Sequence, residues 1–162
     1  SWEQDEAILE QLLVDSNSLA NVTDSGAHGK LFCGGGYNVF LLTEYVRDRQ
    51  VISLEQGIHM LTGRLASFFG LNDRGLLEVG KVADITVFNL DEIELRPEKK
   101  VWDVWDGTGG RTYRYTRDAA PMRLTLVAGV PTFDHGEFAG RYPGEFIGPE
   151  SGSGQPLAIA AE

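Results

Sequence analysis

Cysteine is nearly absent. Cys33 is the single thiol in 162 residues, so no internal disulfide can form. That fits a reducing compartment, and a cytoplasmic location is the expectation. No apolar run approaches the roughly 20 residues needed to cross a bilayer. Ser1-Trp2-Glu3-Gln4-Asp5 lacks a basic region followed by an apolar one, so it does not read as a signal peptide. It also lacks an initiator Met, which suggests a processed or cut chain, or an upstream segment. Positive charge is scarce: 14 Lys and Arg face 24 Asp and Glu, a formal net charge of −10. The deficit is evenly spread, with four basic and nine acidic residues in 1–72 and ten and fifteen in 73–162. An acidic surface without a basic stripe argues against nucleic acid or an anionic membrane as partner. Metal and nucleotide motifs are missing too. There is no His-x-His, His-Glu-x-x-His or Cys-x-x-Cys, and Gly34-Gly35-Gly36 fits neither the dinucleotide fingerprint nor a Walker loop. That glycine run reads as a flexible loop, and Cys33 as a quiet thiol. No internal repeat is visible. What remains is an ordinary globular composition, 42% hydrophobic and 23% charged, in a chain long enough to bury a core.

The segments that are present read as follows. Ile8, Leu9, Leu12 and Leu13 recur at helical spacing among Glu6, Glu10 and Gln11. Asp15-Ser16-Asn17-Ser18 breaks that amphipathic helix, and a short strand is expected over residues 19–23. A Gly-rich loop covers 25–38. A second helix is expected from Tyr37 to Arg49, with Phe40, Leu41, Leu42, Tyr45 and Val46 as its apolar face. Ser53-Leu54-Glu55-Gln56 is a capping box. The helix it opens is predicted to put Ile58, Leu61, Leu65 and Phe68 on one side and to end at Gly70, a good C′ residue. Gly57 and Gly63 weaken that helix by about 1 kcal/mol each, unless they serve close packing. Near residue 72 the texture changes. Val82–Asn89 reads as a strand, and 90–120 as irregular and polar, anchored by Trp102, Trp105, Tyr113 and Tyr115. Leu124–Val127 and Val130–Phe133 read as a β-hairpin turning at Gly129. Residues 148–162, rich in Gly, Ser, Pro and Ala, read as a flexible tail.

One short run carries the chemistry: Asn21-Val22-Thr23-Asp24-Ser25-Gly26-Ala27-His28. A strand that ends in a carboxylate and opens onto a loop is where α/β barrels hold catalytic groups. In a metal-assisted hydrolase, a bound Zn²⁺ lowers the pKa of its water to about 7, and a nearby carboxylate takes the proton and passes it to the leaving amine. On local grounds alone, Asp before Ser-Gly is more often a turn or helix cap. His28 can orient a substrate or be structural. His59 and His135 read as structural.

Five separated stretches, taken together, resemble one family. They are Thr23-Asp24-Ser25-Gly26-Ala27-His28; Tyr45-Val46-Arg47-Asp48-Arg49 with Leu54-Glu55-Gln56-Gly57 and Leu61-Thr62; Phe69-Gly70-Leu71-Asn72-Asp73-Arg74-Gly75; Val79-Gly80-Lys81-Val82-Ala83-Asp84-Ile85-Thr86-Val87-Phe88; and Leu126 to Glu137. The chain is similar, over about residues 5–140, to the C-terminal part of the D-aminoacylase (N-acyl-D-amino-acid deacylase) branch of the amidohydrolase superfamily.

The resemblance implies an α/β fold: a C-terminal fragment of a metal-dependent (β/α)₈ TIM barrel plus part of a small β-sandwich. Residues 1–72 would hold the last barrel strand and the terminal helices, 73–147 the sandwich segment, and 148–162 the tail. It implies a zinc-dependent hydrolase of a non-peptide C–N amide bond. Asp24 would be both catalytic carboxylate and metal ligand, with Ser25, His28 and Lys30 around the substrate. Family members place an Arg in this loop to hold the substrate carboxylate. Here Lys30 stands in, as a point charge rather than a bidentate fork. An N-acyl-D-amino acid is the implied substrate, and another amide or a cyclic amide stays open. The other Zn²⁺ ligands would lie outside this chain, so the chain alone is expected to be inactive. Its expected partners are a small-molecule amide, the missing N-terminal part of the enzyme, and, through an uncovered apolar flank, a second copy in a homo-oligomer. The competing expectation is a non-catalytic binding or assembly module that folds independently.

Overall fold

The computed structural model describes residues 5–19 and 29–148. Helix α1 spans Asp5–Val14, as its spacing predicts. Only Leu13 of its apolar face is buried; Ile8, Leu9 and Leu12 stay at least 41% exposed. Residues 20–23 of the strand expected over 19–23, and the tail from 149 onward, lie outside the described residues.

The second helix forms where expected but not in one geometry. It starts as α2 (Tyr37–Phe40) and continues as a π-helix over Leu41–Asp48. Arg49 N–H reaches back five residues to Glu44 O at 2.9 Å, which is the π pattern. Thr43 Oγ1 donates to Val39 O at 3.0 Å, a back-bond of the kind that bends helices. The wider turn buries Leu41, Leu42, Tyr45 and Val46 together. These four join Leu13, Ile52, Met60 and Ile93 in the core, with Phe88, Leu90 and Met122 packed against it.

The capping box at Ser53 is present in both directions: Gln56 N donates to Ser53 Oγ at 3.2 Å and Ser53 N to Gln56 Oε1 at 2.8 Å. The helix it opens corrects the sequence expectation twice. It breaks at Thr62, whose φ of −131° and ψ of −92° are not helical, into α3 (Leu54–Leu61) and α4 (Gly63–Phe68). Its buried stripe is Gly57, Met60, Gly63 and Ala66, while Phe68 is 65% exposed. The glycines therefore face inward. A Cβ at Gly57 would lie 2.8 Å from Val46 Cγ2, and one at Gly63 would lie 2.9 Å from Leu76 Cδ2. Gly70, at φ +71°, closes α4 with Leu71 N–H on Ala66 O and Gly70 N–H on Ser67 O, a Schellman ending.

The β part differs more. The strand expected over Val82–Asn89 shortens to β1 (Ile85–Val87). The stretch read as irregular contains the longest strands among the described residues, β2 (Glu98–Trp105) and β3 (Arg111–Arg117), paired antiparallel with a bulge between Val101 and Val104. Asp106 closes their turn by accepting from Thr108 N at 2.7 Å and Gly110 N at 3.0 Å. The second hairpin, β4 (Leu124–Val127) and β5 (Val130–Asp134), forms as expected. Ala128 and Gly129 both have positive φ there, as a two-residue I′ turn requires. With β1 and β6 (Glu137–Phe138) these strands make an antiparallel sheet ordered β1-β4-β5-β6.

Motif residues tie these parts together. Arg47 Nη1 donates to Ile93 O at 2.8 Å and Leu90 O at 3.2 Å, fixing the 90–93 segment to the π-helix. Arg49 pairs with Glu6 and Glu10 of α1 and lies 5.3 Å from the Tyr45 ring centroid. Arg74 bridges Asp73 and Asp84, and Asp84 also accepts from Ala128 N at 2.8 Å.

Gly57→Ala gains helix propensity of about 1 kcal/mol. The added methyl must displace Val46 in a packed core, at a cost of about 1–3 kcal/mol. A net fall in thermal midpoint is the expected result of a calorimetric comparison.

Candidate functional site at the residue 29–36 loop

Asp24, Ser25 and His28 lie outside the described residues. Lys30, the remaining predicted site residue, is described, and so is the scaffold that receives the end of its loop. Asp24 precedes Gly29 by five residues, so the chain can separate them by at most roughly 18 Å.

That scaffold is the β2–β3 hairpin. Tyr115 N–H donates to Gly29 O, adding the end of the loop to the free edge of β3. Side chains alternate across a strand, so one face of the ribbon carries Lys100 and Trp102 from β2 with Tyr113 and Tyr115 from β3. Trp102 and Tyr113 meet with centroids 5.2 Å apart, and Tyr113 meets Tyr115 edge-on at 6.2 Å. Lys30 Nζ stands 6.0 Å from the Tyr113 centroid. Lys100 Nζ stands 3.7 Å from the same centroid and 5.4 Å from that of Trp102. On the opposite face Arg114 forks onto Asp103 at 2.9 and 2.7 Å. That hydrogen-bonded guanidinium holds the Asp103 carboxyl below its ordinary range.

Sequence reasoning did not connect Lys100 or Tyr113 to the loop. The usable signal was the period-two spacing of Lys100 with Trp102 and of Tyr113 with Tyr115, inside a segment taken as irregular.

The Gly-rich run has a structural task. Gly36 precedes α2 at φ +99°, and a Cβ there would lie 2.6 Å from Leu95 Cδ1. Cys33 is a free, half-buried thiol. Cys33, Gly36, Arg96, Arg117 and Asp118 contribute to a cleft of about 300 Å³. Arg117 donates to Arg96 O, and its buried Nε has no partner among the described residues. A second cleft of about 340 Å³ includes Leu13, Ile52, His59 and Met60 in its lining. His135 sits in the β5–β6 turn, 2.6 Å from Asp134. Among the described residues no group of three or more His, Cys, Asp or Glu could hold a metal ion. No helix among them is long and apolar enough to cross a membrane.

Comparison with known proteins places these features in context. Residues 19–133 match the model described as "Amidohydrolase family". The chain is 35% identical over 91 residues to the N-acyl-D-glutamate deacylase of Alcaligenes xylosoxydans xylosoxydans, covering 56% of this chain and 17% of that protein. It is 30% identical over 149 residues to the dihydroorotase of Lactobacillus gasseri, covering 82% of this chain and 34% of that protein. An N-acyl-D-aspartate deacylase from the same Alcaligenes is 43% identical over 49 residues, 30% of this chain and 10% of that protein. A solved D-aminoacylase structure shares 24% identity at a TM-score of 0.46, over 64% of this chain and 19% of that one. The resemblance to the D-aminoacylase branch is thus met by the relatives found. The chain spans 17% and 34% of the lengths of the first two curated relatives.

The docking of Gly29 on β3 has a direct readout. Tyr115 N–H faces the outer edge of the ribbon, yet it is expected to exchange as slowly as amides paired between β2 and β3. Exchange at the rate of an open edge amide would show that the loop is not held there.

Proposed function

The chain belongs to the amidohydrolase family, and from that premise we propose that it is the C-terminal portion of a zinc-dependent enzyme hydrolysing a non-peptide C–N amide bond, with N-acyl-D-amino acids as substrates. The observation that carries the reading is the family match over residues 19–133, which includes Asp24. Two relatives are named for deacylation of N-acylated D-amino acids, which supports that substrate class. A cyclic amide is the second reading, favoured by the dihydroorotase alignment over 82% of the chain.

On this reading residues 1–72 contribute the last strand and terminal helices of a (β/α)₈ barrel, 73–147 a share of a β-sandwich, and 148–162 a tail. Asp24 takes a proton from the attacking water as its oxygen bonds to the amide carbon. It then returns that proton to the nitrogen as the C–N bond breaks, so an amine and a carboxylic acid leave. Ser25 and His28 orient the amide, and Lys30 offers its ammonium to the substrate carboxylate. The described residues bring no three metal-ligating side chains together. Asp24 and residues of the rest of the enzyme would hold the Zn²⁺. The uncovered face of α1, with Ile8, Leu9 and Leu12 exposed, supports pairing with the rest of the enzyme rather than an independent module.

Asp24→Asn in the complete enzyme is expected to lower kcat by about 10²–10⁴-fold, the usual worth of a general acid–base group, with substrate binding retained. Near-normal turnover would overturn the assignment. The isolated chain is expected neither to keep zinc through dialysis nor to cleave an N-acyl amino acid.

A further inference from the structure

The β2–β3 hairpin distributes its charges unevenly. Lys99 pairs with Asp118, Arg114 with Asp103 and Arg117 with Glu98. Arg111 donates to the Asp103 carbonyl at 2.7 Å. Lys100 instead lies over two rings, and no carboxylate among the described residues pairs with it or with Lys30. An aromatic face attracts an ammonium through its quadrupole. It holds the cation in place without neutralising it. In a chain of net charge −10, two cations gathered at one ring with no carboxylate partner among the described residues form a local anion-attracting surface, at the point where Gly29 docks on β3.

We propose that this surface is a specificity subsite: Lys100, positioned by Tyr113 and Trp102, binds the side-chain carboxylate of an N-acylated acidic amino acid while Lys30 takes its α-carboxylate. The inference rests on the function proposed above and extends it by a residue and a substrate class. Two independent ammoniums suit a substrate with two separate carboxylates better than one guanidinium fork, which serves a single carboxylate. The common ring limits how far apart the ammoniums can be, since they lie 6.0 and 3.7 Å from its centroid. A flexible diacid can bridge such a span. Trp102, 62% exposed, gives the aliphatic part of the side chain an apolar surface.

The test uses the complete enzyme with N-acetyl-D-glutamate and N-acetyl-D-leucine. Lys100→Ala is expected to lower the ratio of kcat/KM for the acidic over the neutral substrate about tenfold, the worth of a hydrogen bond to a charged group. The change should fall mainly in KM, since the contact is made equally before and during reaction. Lys100→Arg should restore most of the ratio. Lys99→Ala, on the other face and paired with Asp118, should leave it unmoved. An unchanged ratio in Lys100→Ala, or an equal loss on both substrates, overturns the subsite and leaves the function reading standing. A wild-type enzyme that cleaves neither substrate overturns the function reading, and the subsite with it.

Discussion

The fold depends on how the π-helix at Leu41–Asp48 is held. Its wide turn places Leu41, Leu42, Tyr45 and Val46 in one buried cluster. Its last turn and C-cap carry the two arginines that reach outward in different directions. Arg47 satisfies the Leu90 and Ile93 carbonyls, whose burial would otherwise be costly, and so holds Ile93 at 1% exposure in the core. Arg49 ties α1 to the same segment through Glu6 and Glu10. These charged contacts are half-exposed and each is weak by itself. Their value is positional: they fix which backbone segments close over the apolar cluster.

The stretches that mark the family are mostly of this kind. Val46-Arg47-Asp48-Arg49 is a clamp. The Asn72-Asp73-Arg74-Gly75 and Lys81-Val82-Ala83-Asp84 stretches lock to one another through Arg74 with Asp84, Lys81 with the Asn72 carbonyl, and Val82 with the Asp73 carbonyl. Asp84 then caps the β4–β5 turn. Such residues specify a scaffold and carry little information about substrate. That accords with a chain whose relatives include both N-acyl-D-amino-acid deacylases and dihydroorotases. On the proposed reading, chemistry falls to Asp24 and specificity to the ribbon on which Gly29 rests.

Legibility followed local signals. The capping box at Ser53, the turn at Gly129 and the helical spacing of α1 are encoded within a few residues, and each formed. The β2–β3 ribbon was missed because β2 is mostly exposed and its apolar residues fall in adjacent pairs, Val101-Trp102 and Val104-Trp105, on either side of the bulge, which hides the alternation that Tyr113 and Tyr115 keep in β3. Its turn, Asp106 to Gly110, closes through an Asp side chain rather than a two-residue Asn-Gly signal. The α3–α4 face was misread for a related reason. Gly57 and Gly63 contribute no hydrophobic signal, yet backbone contact with Val46 and Leu76 makes theirs the buried side.

By itself the sequence determined the helical and hairpin segments, the absence of any internal disulfide, and the family. Those follow from short-range propensity, composition and residue identity. Only the tertiary structure decided which face of α3–α4 is buried, that the polar 98–117 stretch is a ribbon, and that Lys100 shares a ring with Lys30, 70 positions away in the chain. The physical reason is that each depends on contacts between distant segments: a missing Cβ that admits Val46, and a free strand edge that takes up Gly29. No local pattern records which distant segment will arrive.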